Sequence, residues 1–248
     1  MCTLTIIPSQ QGRTIITMNR DEHRHRHETN QVRHIKSAVT EYYHPVDQSS
    51  DGTWFGFNNY GHVMALLNRY QENNSKACKS RGTIIPDLLP LQSTSEIMSA
   101  ITHLGLIDFE PFDLIYSDYE SILRFSWNGK QLNKIEIANN MPYILSSSSV
   151  NMESIFAYRS KLFDSFTQIK SNKTEEKILK NFHLYQDIND TSSSVFMSRE
   201  YTHTKSICQV TLSLDELSYQ YYTQNNLQKR DNHMNNLRCQ IINLSLIC

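Results

Sequence analysis

Cys2 is the residue of this 248-residue chain that chemistry singles out first. Removal of Met1, expected when a small residue follows it, puts a thiol and a free α-amine on one residue. An α-amine titrates at about 7.7–8.0, so a useful fraction is neutral near pH 7 and can take a proton from the thiol. Thiolate attack assisted by the terminal amine is one form of nucleophilic catalysis. The alternative is a small thiol buried at the start of a strand, since free cysteine packs as a small hydrophobe. Residues 3–8 and 14–18 are β-branched runs separated by Ser9-Gln10-Gln11-Gly12-Arg13, and they read as a hairpin. A turn near Gln11-Gly12 makes paired residue numbers sum to about 21–23, which sets Cys2 opposite Asn19, Arg20 or Asp21. A carboxylate there orients an amine, and a guanidinium lowers a thiol pKa and holds an anionic substrate. A solvated hairpin end with a surface ion pair is the competing reading of Asn19-Arg20-Asp21-Glu22.

His23, His25 and His27 alternate with Arg24 and Arg26, and His34 follows. Neutral imidazoles ligate metals and haem iron. The interleaved arginines disfavour a cation, however, and no cysteine or paired carboxylate completes a ligand set, so a solvated, partly positive loop is expected and no metal site.

The elements that must carry these residues follow from pattern. Residues 53–57 and 62–67 flank Asn58-Asn59-Tyr60-Gly61 as a second hairpin, and residues 22–50 read as a long polar loop. Ser93 and Glu96 form a capping box before a helical stripe of Ile97, Ile101 and Leu104. Strands are expected at 112–116, 121–127 and 131–137, the last two joined through Asn128-Gly129. A helix is expected at 152–168 with Met152, Ile155, Phe156, Leu162, Phe163 and Phe166 inward, capped by Asn151. Asn172 and Glu175 suggest a further helix carrying Ile178, Leu179 and Phe182, before strands near 194–197, 206–212 and 218–222. One α+β domain over residues 1–223 accommodates this order. Residues 224–248, rich in Asn and Gln, read as a weakly ordered tail.

Composition narrows the class. Lys plus Arg number 24 against 25 Asp plus Glu, a net charge of −1, so neither nucleic acid nor an anionic membrane is the expected partner. Five widely spaced cysteines argue against a disulfide framework, and no apolar run reaches the roughly 18 residues of a membrane span. The N-terminal run has no basic flank and too few apolar residues for a secretory signal. A soluble, cytoplasmic protein with a small-molecule partner is expected.

Met1-Cys2-Thr3 and Asn19-Arg20-Asp21-Glu22 together resemble the NRDE family, also called the transport and Golgi organisation 2-like family. Further matches follow in order: Asp51-Gly52-Thr53-Trp54-Phe55-Gly56, Leu67-Asn68-Arg69, Ser80-Arg81-Gly82 and Pro111-Phe112-Asp113-Leu114. The resemblance spans residues 1–222 and implies an α+β fold, the four-layer αββα sandwich of N-terminal nucleophile hydrolases, with distant similarity to penicillin V acylases and bile salt hydrolases. It implies Cys2 as nucleophile with its own amine as base, Asp21 orienting that amine, Arg20 beside the thiol, and Asn68 as oxyanion donor. Asn68 as an ordinary strand-ending asparagine is the other reading. Asn19, Trp54, Ser147 and Lys205 are expected to line the substrate. Ser147 stands where many relatives carry an amide, and Lys205 where they carry an arginine, which is not its bidentate equivalent. Two functions are expected of such a site. One is hydrolysis of a small amide or acyl substrate without a required cofactor. The other is binding of haem or a lipid-like ligand, since relatives are linked to haem handling and lipid metabolism.

Overall fold

The computed structural model describes residues 1–8, 12–167, 177–228 and 237–247. These group into two compact units. The first comprises Met1–His25, Asn140–Thr211 and Ser218–Asn243, and the second Arg26–Asn139, Leu212–Leu217 and Leu244–Cys248.

The first unit is built on the N-terminal hairpin, β1 (Cys2–Pro8) and β2 (Thr14–His23). Cys2 pairs with Arg20 and Pro8 with Thr14, so paired numbers sum to 22, inside the expected window. The second strand runs five residues beyond the expected Met18, because the polar Asn19-Arg20-Asp21 segment is needed opposite Cys2 and Thr3. On its other side β1 pairs antiparallel with Tyr143–Ser147. The sheet continues past β2 through Thr202–Leu212, Glu216–Tyr222 and Gln240–Ser245.

Side chains of β1 alternate between faces. Ile7 and Ile15 pack with Phe163, Ile178, Phe182 and Val195. Phe163 belongs to the helix Met152–Thr167, whose inward row is Ile155, Arg159 and Phe163, one residue every turn. The stripe therefore differs from expectation. Phe156, about 100° further round the helix, is exposed, and an arginine takes a core position.

The second unit holds a seven-stranded antiparallel meander in chain order: Arg33–Lys36, Glu41–His44, Phe55–Asn58, Val63–Asn68, Phe112–Ser117, Ile122–Trp127 and Leu132–Glu136. Helices Ile84–Leu88 and Thr94–His103 supply Ile84, Ile85, Leu88, Ile97 and Ile101 to a core with Met64, Leu66, Leu114 and Phe125. The Ser93–Glu96 capping box forms in full. Gly56 lets a helix approach closely, for a Cβ there would lie 2.6 Å from Leu89 Cδ1. Gly129 takes φ +89° in the expected Asn-Gly hairpin turn.

Three sequence expectations are corrected. The long loop at 22–50 holds two strands, 33–36 and 41–44, the outermost pair of the sheet; the first is mostly exposed and neither alternates in burial, so no period of two marks them. Residues 194–197 form no strand; Val195 and Met197 are buried by packing instead, and the following strand starts at Thr202. The tail contributes a strand at Gln240–Ser245, where alternate residues are half-buried. The expected helix start at Asn172 and Glu175 lies outside the described residues. Ile178, Leu179 and Phe182 are buried as expected, on a π-helical turn at Leu179–His183.

Candidate active site at Cys2

Hairpin register builds the site. Cys2 lies between Arg20 and Ser147, one pair on each side. Alternation places Thr3, Asn19, Asp21 and Ser146 on the opposite face of the sheet. The Cys2 N–H donates to Ser147 Oγ at 3.1 Å. Met1 adds one more rung to the ladder: its amine donates to the Asp21 carbonyl at 2.9 Å, and the Asp21 N–H returns to the Met1 carbonyl at 2.9 Å. With Met1 in place Cys2 is buried. Burial pushes its thiol pKa up, while the terminal ammonium and Arg20 pull it down.

The Asp21 carboxylate is sealed from solvent. Thr204 donates to its Oδ1 at 2.6 Å, and its Oδ2 has no hydrogen-bond partner. Arg159 Nη1 lies 3.9 Å from that oxygen. Burial drives the Asp21 pKa up; Arg159 and the N-terminal ammonium oppose the shift. Arg159 is itself held on all sides. Its Nη1 donates to Thr3 Oγ1 at 2.6 Å and Ser146 Oγ at 3.0 Å, its Nη2 to the Ser194 carbonyl at 2.6 Å, and its Nε to the Ser193 carbonyl at 3.1 Å.

Asn19 has a different place from the one expected. Its amide lies inside the unit, donating to the carbonyls of His183 (2.9 Å) and Val195 (3.0 Å) and contacting His183 Nδ1 at 2.7 Å. The other ring nitrogen of His183 meets Thr5 Oγ1 at 2.7 Å. Burial alone lowers this histidine to about 3, so the ring is neutral: Nδ1–H donates to Asn19 Oδ1 and Nε2 accepts from Thr5. Lys205 is buried, with Nζ donating to the Arg24 carbonyl (3.1 Å) and Gln224 Oε1 (3.2 Å). Arg24, Thr204 and Gln224 also line a cavity of about 320 Å³. Arg20 Nη2 is 3.9 Å from Glu22 Oε2.

Trp54 and Asn68 belong to the second unit. The Trp54 carbonyl accepts from the Leu66 N–H at 2.9 Å, and Asn68 ends its strand with Nδ2 donating to the Tyr70 hydroxyl at 3.1 Å. His23, His25 and His27 are exposed. His34 pairs with Glu41 Oε1 at 2.7 Å and stacks on Tyr43. No group of three or more His, Cys, Asp or Glu among the described residues is disposed to hold a metal ion.

Sequence reasoning missed Arg159, His183 and Arg199. Arg159 had one signal, its i+4 spacing between Ile155 and Phe163 on a helix. Arg199 Nη1 reaches the Met1 sulfur at 2.9 Å, which no local pattern announces.

Residues 1–238 match the family Transport and Golgi organisation 2. The chain belongs to that family. No curated protein matches it by sequence. Solved structures resemble it across nearly its whole length. A conjugated bile acid hydrolase variant from Clostridium perfringens aligns with a TM-score of 0.57 at 13% identity, covering 98% of this chain and 92% of that one. An N-acylethanolamine-hydrolyzing acid amidase orthologue from Caenorhabditis elegans aligns at 0.56 with 14% identity, covering 84% and 92%. Penicillin V acylase from Agrobacterium tumefaciens aligns at 0.55 with 8% identity, covering 98% and 86%. At such identities the likeness shows the fold: this member of the Transport and Golgi organisation 2 family has the α+β sandwich of N-terminal nucleophile hydrolases. Among its described residues, no helix is long and apolar enough to cross a membrane.

Proposed function

We propose that the chain is a cysteine-nucleophile amidohydrolase acting on a small amide or acyl substrate once Met1 has been removed. The observation that carries this reading is the surroundings of the Cys2 nitrogen. That atom donates to Ser147 Oγ at 3.1 Å, and the adjacent Asp21 carboxylate is buried with Oδ2 unpartnered. Loss of Met1 turns this nitrogen from an amide into an amine. Ser147 Oγ then accepts from it, and the negative charge of Asp21 stabilises the ammonium it becomes. Ser147 thus has a use that its hydroxyl serves as well as an amide would.

In the reaction the neutral amine takes the thiol proton and the thiolate attacks the substrate carbonyl. The ammonium returns that proton to the departing amine, leaving an acyl-thioester on Cys2. Water, deprotonated by the same amine, then releases the acid and regenerates the thiol. Arg20, paired directly with Cys2, favours the thiolate.

The alternative, a haem- or lipid-holding protein using the same cleft, draws no support from the histidines: His34 is held by Glu41 and the other three are exposed. The deciding experiment incubates Met1-free protein, verified by intact mass, with a panel of acyl amides, and repeats it with Cys2→Ala. Turnover lost in the variant is expected. Equal rates for both proteins, or none on any amide, would overturn the reading.

A further inference from the structure

Arg199 is a half-buried cation with no carboxylate in contact among the described residues. Its backbone is fixed on both sides, the N–H donating to the Thr202 carbonyl at 2.8 Å and the carbonyl accepting from Arg24 Nη2 at 2.7 Å. Its Nε donates to the Ser192 carbonyl at 2.9 Å. The guanidinium is therefore aimed by three separate bonds, and what it is aimed at is the Met1 thioether, 2.9 Å from Nη1. Asp21 and Asp190 act on it through space alone; among the described residues no carboxylate lies within 4 Å of it. Burial without a counter-ion makes its charge costly, and its pKa is lowered accordingly. Ser148 Oγ stands 3.4 Å from the same sulfur, but its one proton goes to the Val150 carbonyl at 2.6 Å. A thioether is a weak acceptor, so Arg199 Nη1 is the donor here that lacks an oxygen.

We infer that, with Met1 gone, Arg199 Nη1 receives an anionic oxygen of the substrate, so that the site selects acyl amides carrying a carboxylate. This rests on the hydrolase reading for its choice of amides, though not for the binding itself. A guanidinium fork matches a carboxylate in geometry and charge, and the partly dry surroundings strengthen the contact. The Met1 side chain is then an occupant of the substrate's place, and its departure exposes the cation together with the Cys2 amine.

The test separates binding from turnover. Calorimetry on the Cys2→Ala protein, with Met1 loss verified by mass, compares three probes: N-decanoylglycine, N-decanoylethanolamine, and decanedioic acid mono-ethanolamide. The first and third place the carboxylate on the amine and acyl sides respectively. One of these two is expected to bind about 10- to 100-fold more tightly than the neutral probe, the span of one hydrogen bond to a charged group. Arg199→Gln should erase that preference and Arg199→Lys restore part of it, with melting curves showing both variants folded. Equal binding of all three probes, no binding of any, or a preference that survives Arg199→Gln would overturn the inference. Turnover by the Cys2 enzyme is scored separately. Carboxylate-selective binding without turnover sinks the hydrolase reading alone, and turnover without carboxylate selectivity sinks this inference alone.

Discussion

Arg159 Nη1 lies 3.9 Å from Asp21 Oδ2, and neither side chain reaches solvent. The guanidinium comes from a helix 138 positions along the chain, on a row that is otherwise Ile155 and Phe163. Its four hydrogen bonds tie β1, the neighbouring Ser146 strand and the 193–194 loop to one charge. Arg159→Met removes the nearest positive charge from a buried carboxylate and orphans two carbonyls. A loss of about 3–5 kcal/mol is expected by denaturant unfolding. Adding Asp21→Asn should recover part of it, because the uncompensated charge is then gone. Full additivity of the two changes would mean that the pair is not coupled.

Asp21 also sets a pH dependence. Its folded pKa is raised, so the folded chain binds this proton more tightly than the unfolded chain, whose carboxyl titrates at about 3.9. The stabilising contribution of its protonated form is complete below that value and is lost as pH rises through the folded pKa. Asp21→Asn should therefore be at least as stable as the parent at pH 7, and the gap should close toward pH 4. The same variant should lose turnover. Melting temperatures across pH 4–8 check the first part and an amidase assay the second.

His183 works in the opposite direction. With a folded value of about 3 against an ordinary 6.5, its contribution is present above pH 6.5 and is lost as pH falls toward 3, at about 1.4 kcal/mol per unit. Asn19→Ala deprives the ring and two carbonyls of partners, and a loss of about 3 kcal/mol is expected. A substrate-lining Asn19 would raise KM with an unchanged melting temperature; the buried position calls for the reverse.

Cys2 reactivity should depend on Met1. While Met1 remains, burial raises the thiol pKa, and iodoacetamide at pH 7 should modify exposed Cys78 at least about 10-fold faster than Cys2. In Met1-free protein the order should invert, and Arg20→Ala should slow Cys2 again. Peptide mapping after timed alkylation measures both, and an order indifferent to Met1 would contradict the prepared-nucleophile reading.

The hairpin register was legible because two β-branched runs and one glycine-containing turn confine the pairing of Cys2 to three residues, among them Arg20. The capping box at Ser93 and the Asn128-Gly129 turn were legible for the same reason: their chemistry is complete within four residues. Arg159, His183 and Arg199 were not, since each acts on a partner more than 130 positions away through a contact that only packing creates. The strands at 33–36 and 41–44 escaped because burial alternates in neither: the first is largely exposed on both faces, and the second has a buried residue on each. Asn19 was misplaced by a single step of alternation, which sends it to the opposite face from Arg20.

The Met1–Asp21 rung has a consequence in time as well as in space. Both backbone bonds of the rung are made and Met1 is 8% exposed, so an exopeptidase meets no loose end once the sheet has closed. The trimming that the hydrolase reading requires therefore belongs to the stage at which the hairpin is still open. On the hydrolase reading, the share of chains lacking Met1 is then set before the sheet closes and should stay unaltered however long the folded protein is kept.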